Sequence, residues 1–412
     1  MLPMRTFVYR LRPSRAQHAW LEAVLRDQRH LYNAALQERI DAWRRSSVSI
    51  TLNDQTRSLT EIRSFDAAYG GVAYNVSKWT LKRLDDAFKA FFRRAKRGGK
   101  VGFPRFRAVS RWSSFGYHQK DGLRIVDGGL RLVGMVGGLR MKLHRSLPEG
   151  ALLKSATFTV ENGIWRVALT MSVEASGNVN SDVTGIDVGV NHLATDCSGT
   201  HYVNVRPRSK REAELRRAQR ALSRAKRGSR RRRKARAAVA RIQRLMRNNR
   251  TTALHDVANA IVCKSSTIAV EDLKLRNMTR SAKGTLSAPG TNVRQKAGLN
   301  RSIADAAPGR LISMLVYKAE SAGGQVVKVD PRNTSRTCSA CGIVDAAQLG
   351  PVRYRCGCGL DMHRDHNAAI NIRRRGEAIL AERRREAARG LGGANVGGCT
   401  MRRPVNAEPL VA

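Results

Sequence analysis

Four of the seven cysteines come as two close pairs, Cys338-x2-Cys341 and Cys356-x-Cys358, with 14 residues between the pairs. Two short thiol pairs joined by an insert of hairpin size have the spacing of a zinc ribbon. Four thiolates at about 2.3 Å close a tetrahedron and leave no open position, so the role expected of such an ion is structural. Gly342, Gly357 and Gly359 flank the pairs and permit the close backbone turns that a knuckle needs. The second pair is one residue shorter than the usual C-x2-C, which leaves His363 open as a replacement ligand. Cys197, Cys263 and Cys399 stand alone, a usage that suits a reducing compartment better than a disulfide scaffold.

Three acids could carry a second chemistry. The segment GIDVGVN sets Asp187 between Ile186 and Val188, inside an apolar strand; IAVEDLK ends another apolar strand on Glu271; Asp365 stands at the start of the helical HNAAINIRRRGEA. An unpaired carboxylate aimed inward is costly, and clustered carboxylates repel unless a cation lies among them. Hard oxygen donors with room for water and phosphate select Mg2+ or Mn2+. Two such ions about 4 Å apart would activate a water and stabilise the leaving oxygen of a phosphodiester. The competing reading pairs each acid with one of the many arginines. That reading is adopted for Asp272, Asp361 and Glu377; for Asp187, Glu271 and Asp365 the spacing alone leaves both open.

Elements must bring these groups together. Residues 4–11 read as a strand, and 14–43 as a helix capped by Ser14, with Trp20, Val24, Leu31, Tyr32 and Leu36 on its apolar stripe. A second helix over about 75–97 sets Trp79, Leu84, Phe88, Phe91 and Phe92 against a face bearing Lys78 and Lys82. From 98 to 180 the texture is β, with LRIVDGGLRL and a hairpin at Asn162-Gly163 pointing to a small antiparallel barrel. Within 98–117, Arg105 and Arg107 interleave with Phe103, Phe106, Trp112, Phe115 and Tyr117. That pattern fits either base stacking beside phosphates or a strand pair with snorkelling arginines. Two or three strands follow over 184–205. Residues 206–250 then hold 20 Lys and Arg against two acids, with apolar stripes on either side of Gly228-Ser229, and read as two basic helices. A polar, mobile stretch at 274–300, a helix at about 302–321 and a strand at 324–330 lead to the cysteines, and a loose tail is expected after 377.

Charge limits the partners. With 76 Lys and Arg against 32 Asp and Glu the formal charge is +44, which calls for a polyanion. Nucleic acid suits it, because phosphate contacts release counterions and the abundant arginines bind phosphate bidentately. No run of 18 apolar residues and no apolar leader core is visible, so a membrane partner is not expected and the expected place is the cytoplasm.

The segments GIDVGVNHLATDCSG, IAVEDLKLRNM, VDPRNTSRTCSACG and RDHNAAINI resemble, in order and spacing, the RuvC-type nuclease core of the transposon-encoded TnpB proteins and the compact type V CRISPR effectors. The N-terminal YRLRPSRAQHAWLEAVLRDQRHLYNAAL, GFPRFR and the 217–242 basic segment resemble TnpB as well, so the likeness covers roughly residues 1–376. It implies a multidomain α/β protein. A ribonuclease H-like RuvC domain (181–331 and 361–376) would carry an inserted zinc ribbon (332–360). An antiparallel β-barrel wedge domain (1–12 and 98–180), interrupted by a helical recognition lobe (13–97), would precede it. It further implies a guide-RNA-directed DNA endonuclease in which Asp187, Glu271 and Asp365 ligate Mg2+. Guide RNA and target DNA, double- and single-stranded, would be the partners; an RNA-guided DNA-binding regulator that does not cut is the alternative. On this plan Lys78, Lys82, Arg105, Arg107 and Trp112 face the flanking DNA motif and the RNA. Arg220, Arg224, Arg232 and Arg236 hold the hybrid, and 274–300 covers the cleft. The sequence departs from the family in its shortened second cysteine pair and in His363, where Asp is common.

Overall fold

A computed structural model of the protein describes residues 4–99, 101–118, 121–173, 182–265, 267–345 and 352–392. The chain divides into two compact units, one on either side of 174–181, so the boundary expected near Ser181 lies outside the described residues.

In the first unit, β1 (Met4–Arg12) leads into the helices α1 (Arg15–Ser46), α2 (Leu52–Phe65), α3 (Ala67–Gly70) and α4 (Tyr74–Lys96). Ser14 and Gln17 cap α1 reciprocally, each side chain accepting from the other's backbone amide. Then come β2 (Ser114–His118), β3 (Leu123–Val126), β4 (Gly129–Leu132), β5 (Leu139–Lys142), β6 (Leu152–Glu161) and β7 (Ile164–Ser172). All pair antiparallel in the order β2-β6-β7-β1-β5-β4-β3. Asn162 and Gly163, at φ 50° and 74°, make the β6–β7 turn. One expectation changes: the edge strands β2 and β3 share no ladder among the described residues, so the described strands form an open sheet. Leu21, Val24, Val72 and Val76 share one core with Tyr9, Phe115, Phe158 and Trp165 of the sheet, while Leu31, Leu36, Leu59, Leu81 and Leu84 form a second cluster among the helices. Amphipathic helices and a one-faced sheet bury more apolar surface together than apart.

The second unit opens with the meander β8 (Val183–Asp187), β9 (His192–Asp196) and β10 (His201–Val203). The helices α5 (Pro207–Arg224) and α6 (Arg230–Lys264) lead to β11 (Thr267–Glu271), followed by α7 (Leu275–Met278), α8 (Val293–Ala306) and α9 (Pro308–Ser321). After β12 (Gln325–Val329) come the hairpin strands β13 (Arg353–Arg355) and β14 (Asp361–His363), and then α10 (Arg364–Gly392). The sheet order is β10-β9-β8-β11-β12, antiparallel through the meander and parallel from β8 to β11 and β12. Ile186, Ile268 and Val270 pack with Leu254, Ile261, Leu311 and Leu315 of α6 and α9, whereas Ala269 and Val329 pack with Ile372 of α10. Strand alternation therefore gives the sheet two buried faces.

Several expectations are corrected here. The 302–321 helix is two helices, broken where Ala307 takes φ 53° before Pro308, because proline disfavours a helical residue ahead of it. The 274–300 stretch contains α7 and the first turns of α8. Helix α10 continues past 377 to Gly392, with Leu380 buried and Arg373 paired to Glu377 at 2.7 Å; its Ala, Arg and Glu are strong helix formers. The tail beyond 392 lies outside the described residues. β14 pairs antiparallel with β13, so Asp361–His363 closes the hairpin that carries the second cysteine pair.

Candidate active site and metal-binding residues

Parity and register place the acids. In the parallel pair β8/β11, Ile186 lies opposite Val270, so the next residues, Asp187 and Glu271, end adjacent strands side by side. Each follows by two a residue on the α10 face, Gly185 and Ala269, and so shares that face. Helix α10 brings the third acid. A Cβ on Gly185 would run into the Ala369 carbonyl oxygen and the Arg373 amide, and one on Gly376 would lie 2.5 Å from the Ala269 Cβ. Glycine at both positions lets the helix lie directly on the sheet, with Asp365 in its first turn, where the helix dipole favours an anion.

The electrostatics record the meeting. Burial, then the charges of Glu271 and Asp365, push the Asp187 carboxyl up to about 8, against the opposing pull of Arg364 and the Val188 amide. Burial also raises Glu271, which accepts a short hydrogen bond from the Thr334 hydroxyl and feels Arg375. Asp365 Oδ1 has Arg364 Nη2 at 3.6 Å. Asp187 thus feels the charges of both other acids, while Arg364 and Arg375 offset part of the negative charge. By contrast, Asp361 bonds Arg353 at 2.8 Å and Glu377 bonds Arg373 at 2.7 Å, as expected, while Asp272 pairs with Lys274 and Lys328 rather than with arginine.

Cys338, Cys341, Cys356 and Cys358 converge, their sulfurs all within 4.8 Å of one another, with Cys338–Cys358 and Cys341–Cys356 each at 3.6 Å. Thiolates about 2.3 Å from one tetrahedral ion would be roughly 3.8 Å apart, so the set fits a metal. Both pairs form the same turn. Cys338 N–H donates to Ile343 O and Gly342 N–H to Cys338 O, while Cys356 N–H donates to Leu360 O and Gly359 N–H to Cys356 O. Gly342 and Gly359 hold φ 79° and 92° there, so the one-residue deletion is absorbed without losing the knuckle. Burial alone would raise the Cys338 thiol, but hydrogen bonds from the Cys341 and Ala340 amides bring it down to about 6. His363 is not in this set; it lies with His192 and Asp365 instead.

Two asparagines missed in the sequence join the cysteine segment to α10. Buried Asn367 accepts from Ser339 N–H and donates to Thr337 O, both at 2.8 Å. Asn371 donates to Thr334 O and Thr337 O at 2.9 and 2.7 Å. The segment that carries Cys338 is therefore pinned to the helix that carries Asp365, through the residue that binds Glu271. Only the polar breaks in the apolar run HNAAINI could have signalled them.

The nucleic-acid candidates divide. Lys78, Lys82, Arg105, Arg220, Arg224 and Arg236 are exposed, with Lys82 sharing its charge with Asp86. Trp112 is corrected: it is 4% exposed, packed on Tyr32 with Arg83 over its ring, and has no face for a base. Arg107 lies over Tyr32, its backbone bonded to Asn33. Arg232 donates to Leu222 O and Ala225 O, so it closes the α5–α6 connection. The stretch 98–117 is split: Phe115 and Tyr117 are core, while Phe103 and Phe106 are half exposed on a cleft of about 1260 Å³ with Trp43, Phe88 and Phe92. Among the described residues no helix is long and apolar enough to cross a membrane.

A family model described as "Probable transposase" of the IS605 OrfB type matches residues 168–282, and one described as "Cas12f1-like, TNB domain" matches 309–372. The chain is 33% identical over 307 residues, 73% of itself and 74% of the relative, to the Escherichia coli K12 protein named "Putative RNA-guided DNA endonuclease InsQ". It is 30% identical over 383 residues to a Streptomyces pristinaespiralis protein of the same designation, covering 92% of this chain and 90% of the other. A solved Cas12f1–sgRNA–target DNA complex shares the fold at TM-score 0.54 and 14% identity, over 86% of this chain and 82% of that one. On the length and level of these matches, the chain belongs to the TnpB family of IS605-type transposon proteins.

Proposed function

We propose that this protein is an RNA-guided DNA endonuclease that cuts phosphodiester bonds at Asp187, Glu271 and Asp365. One observation carries the reading: strand register and the close seating of α10 on Gly185 put three acids at one apolar sheet end, where burial and then the charges of Glu271 and Asp365 hold Asp187 far above an ordinary carboxylate. An oxygen-donor set in that condition fits Mg2+ or Mn2+, whose charge relieves the repulsion. Divalent ions bound there would supply water activation and charge neutralisation at the leaving oxygen. The chain's own part is to aim and hold the donors. Thr334 orients Glu271, and Asn367 and Asn371 fix the helix that presents Asp365.

The mixed five-stranded sheet with helices on both faces supports a ribonuclease H-like RuvC domain. The cysteine knuckles support a structural zinc ribbon inserted before α10. The α5–α6 hairpin, exposing Arg220, Arg224 and Arg236, suits the backbone of a guide–target hybrid, and Lys78, Lys82 and Arg105 suit the flanking duplex. Such an enzyme works in the bacterial cytoplasm, on the nucleoid.

The test is to purify the protein with the RNA that accompanies it, sequence that RNA, and offer a plasmid bearing the matching target. Cutting that needs Mg2+ and is lost in Asp187→Ala is expected. Undiminished cutting by Asp187→Ala refutes the site, and equal site-specific cutting without RNA refutes the guide. Tight target binding with no cutting under any divalent ion makes the protein a DNA-binding regulator.

A further inference from the structure

The tightest mixed donor set at this sheet end is not the carboxylate trio. Among the described residues His192, His363 and Asp365 each offer a ligand atom within 4.8 Å of the others. His192 Nδ1 lies 3.8 Å and His363 Nδ1 4.0 Å from Asp365 Oδ2. Two donors each about 2.0–2.1 Å from one ion lie roughly 3–4 Å apart, so both spacings are near closure. His192 Nδ1 is buried and has no hydrogen-bond partner. A buried ring nitrogen left unpaired beside a carboxylate lacks a ligand, and an ion would satisfy both. The rings are held in place. His201 stacks on His192 at 4.4 Å between centroids, meets His363 at the same distance, and is itself fixed by Thr195 at 2.9 Å.

We propose that His192, His363 and Asp365 form a second cation site, which takes a divalent transition ion with an affinity for imidazole, such as Zn2+ or Co2+, in preference to Mg2+. Two imidazoles and one carboxylate suit such ions, whereas Mg2+ favours oxygen alone. Binding through His363 Nδ1 costs the 3.2 Å bond it accepts from the Asp365 amide. That amide is in the first helical turn, where N–H groups lack intrahelical partners and can turn to water. The site shares Asp365 with the proposed nuclease centre but does not rest on it, because the ion's binding is read without any cleavage.

The experiment titrates Co2+ into the full chain, its cysteines zinc-loaded, in excess Mg2+ that fills oxygen-only sites. One further Co2+ per chain with visible absorption is expected, displaced by Zn2+. His192→Ala and His363→Ala should each weaken it by at least about tenfold, whereas His30→Ala, an exposed histidine of the first unit, leaves it unchanged. A reading free of mutation is protection of His192 and His363 from diethyl pyrocarbonate by Co2+ in the wild-type chain, mapped by mass spectrometry. No Co2+ uptake above Mg2+, equal affinity in both histidine variants, or equal modification with and without Co2+ overturns the proposal. Asp187→Ala, which ends cutting on the nuclease reading, should still take up Co2+; its failure to do so would assign the ion to the carboxylates instead.

Discussion

Replacing Asp187 by Asn should stabilise the protein when Mg2+ and Mn2+ are absent, and the size of the effect should depend on pH in one direction. The folded carboxyl holds its proton up to about 8, against an ordinary value of 3.8. Between those two values the folded state binds one proton more than the unfolded state. Stability contributed by the protonated group is complete below the unfolded value and is lost as pH rises towards the folded one, at about 1.4 kcal/mol per pH unit. From about pH 5 to about pH 7 the wild type should therefore lose roughly 3 kcal/mol relative to the variant, as an upper bound. Saturating Mg2+ should cancel the difference by replacing the proton with an ion. The assay is urea unfolding of zinc-loaded protein freed of Mg2+, for wild type and Asp187→Asn, at both pH values. Parallel pH dependences in the two proteins would refute the claim that burial, with Glu271 and Asp365 alongside, keeps Asp187 protonated. A wild-type slope unaffected by Mg2+ would refute the claim that the crowding is built for a cation.

Cys338→Ser should lower bound zinc by about one ion per chain and expose the 334–363 segment to protease; undiminished zinc content in the variant would remove Cys338 from the ligand set. Asp305, buried against Arg250 at 2.7 Å and accepting from the Arg208 amide at 3.1 Å, should cost about 3 kcal/mol or more as Asp305→Ala, read by denaturant unfolding. Gly185→Ala drives a methyl group into the α10 backbone and so should displace Asp365; a roughly hundredfold slower cut with circular dichroism retained is expected, and an unchanged rate would show that the helix has slack.

Much of the site was legible one element at a time. The strand around Asp187, the strand that ends on Glu271, the cysteine pairs and the basic helices all follow from local periodicity and spacing. Trp112 and Arg232 show why surface roles were less legible. An aromatic or a guanidinium in a basic run looks alike whether it faces a base or closes a turn, and only packing against Tyr32 or capping of Leu222 O tells which. The extent of α10 and the break at Ala307 were likewise settled by what each segment packs on.

By itself, then, the sequence determined which groups are present, their alternation along each strand, and the thiol spacing that a tetrahedral ion demands, since these depend on neighbours a few residues apart. Tertiary structure alone decided that Asp187 and Glu271 end adjacent strands in register and that two glycines admit α10 against them. It also decided that His363 leaves the cysteines to stand with His192. Those outcomes depend on pairings across tens to hundreds of residues, where the burial of two sheet faces, and no local preference, fixes which atoms meet.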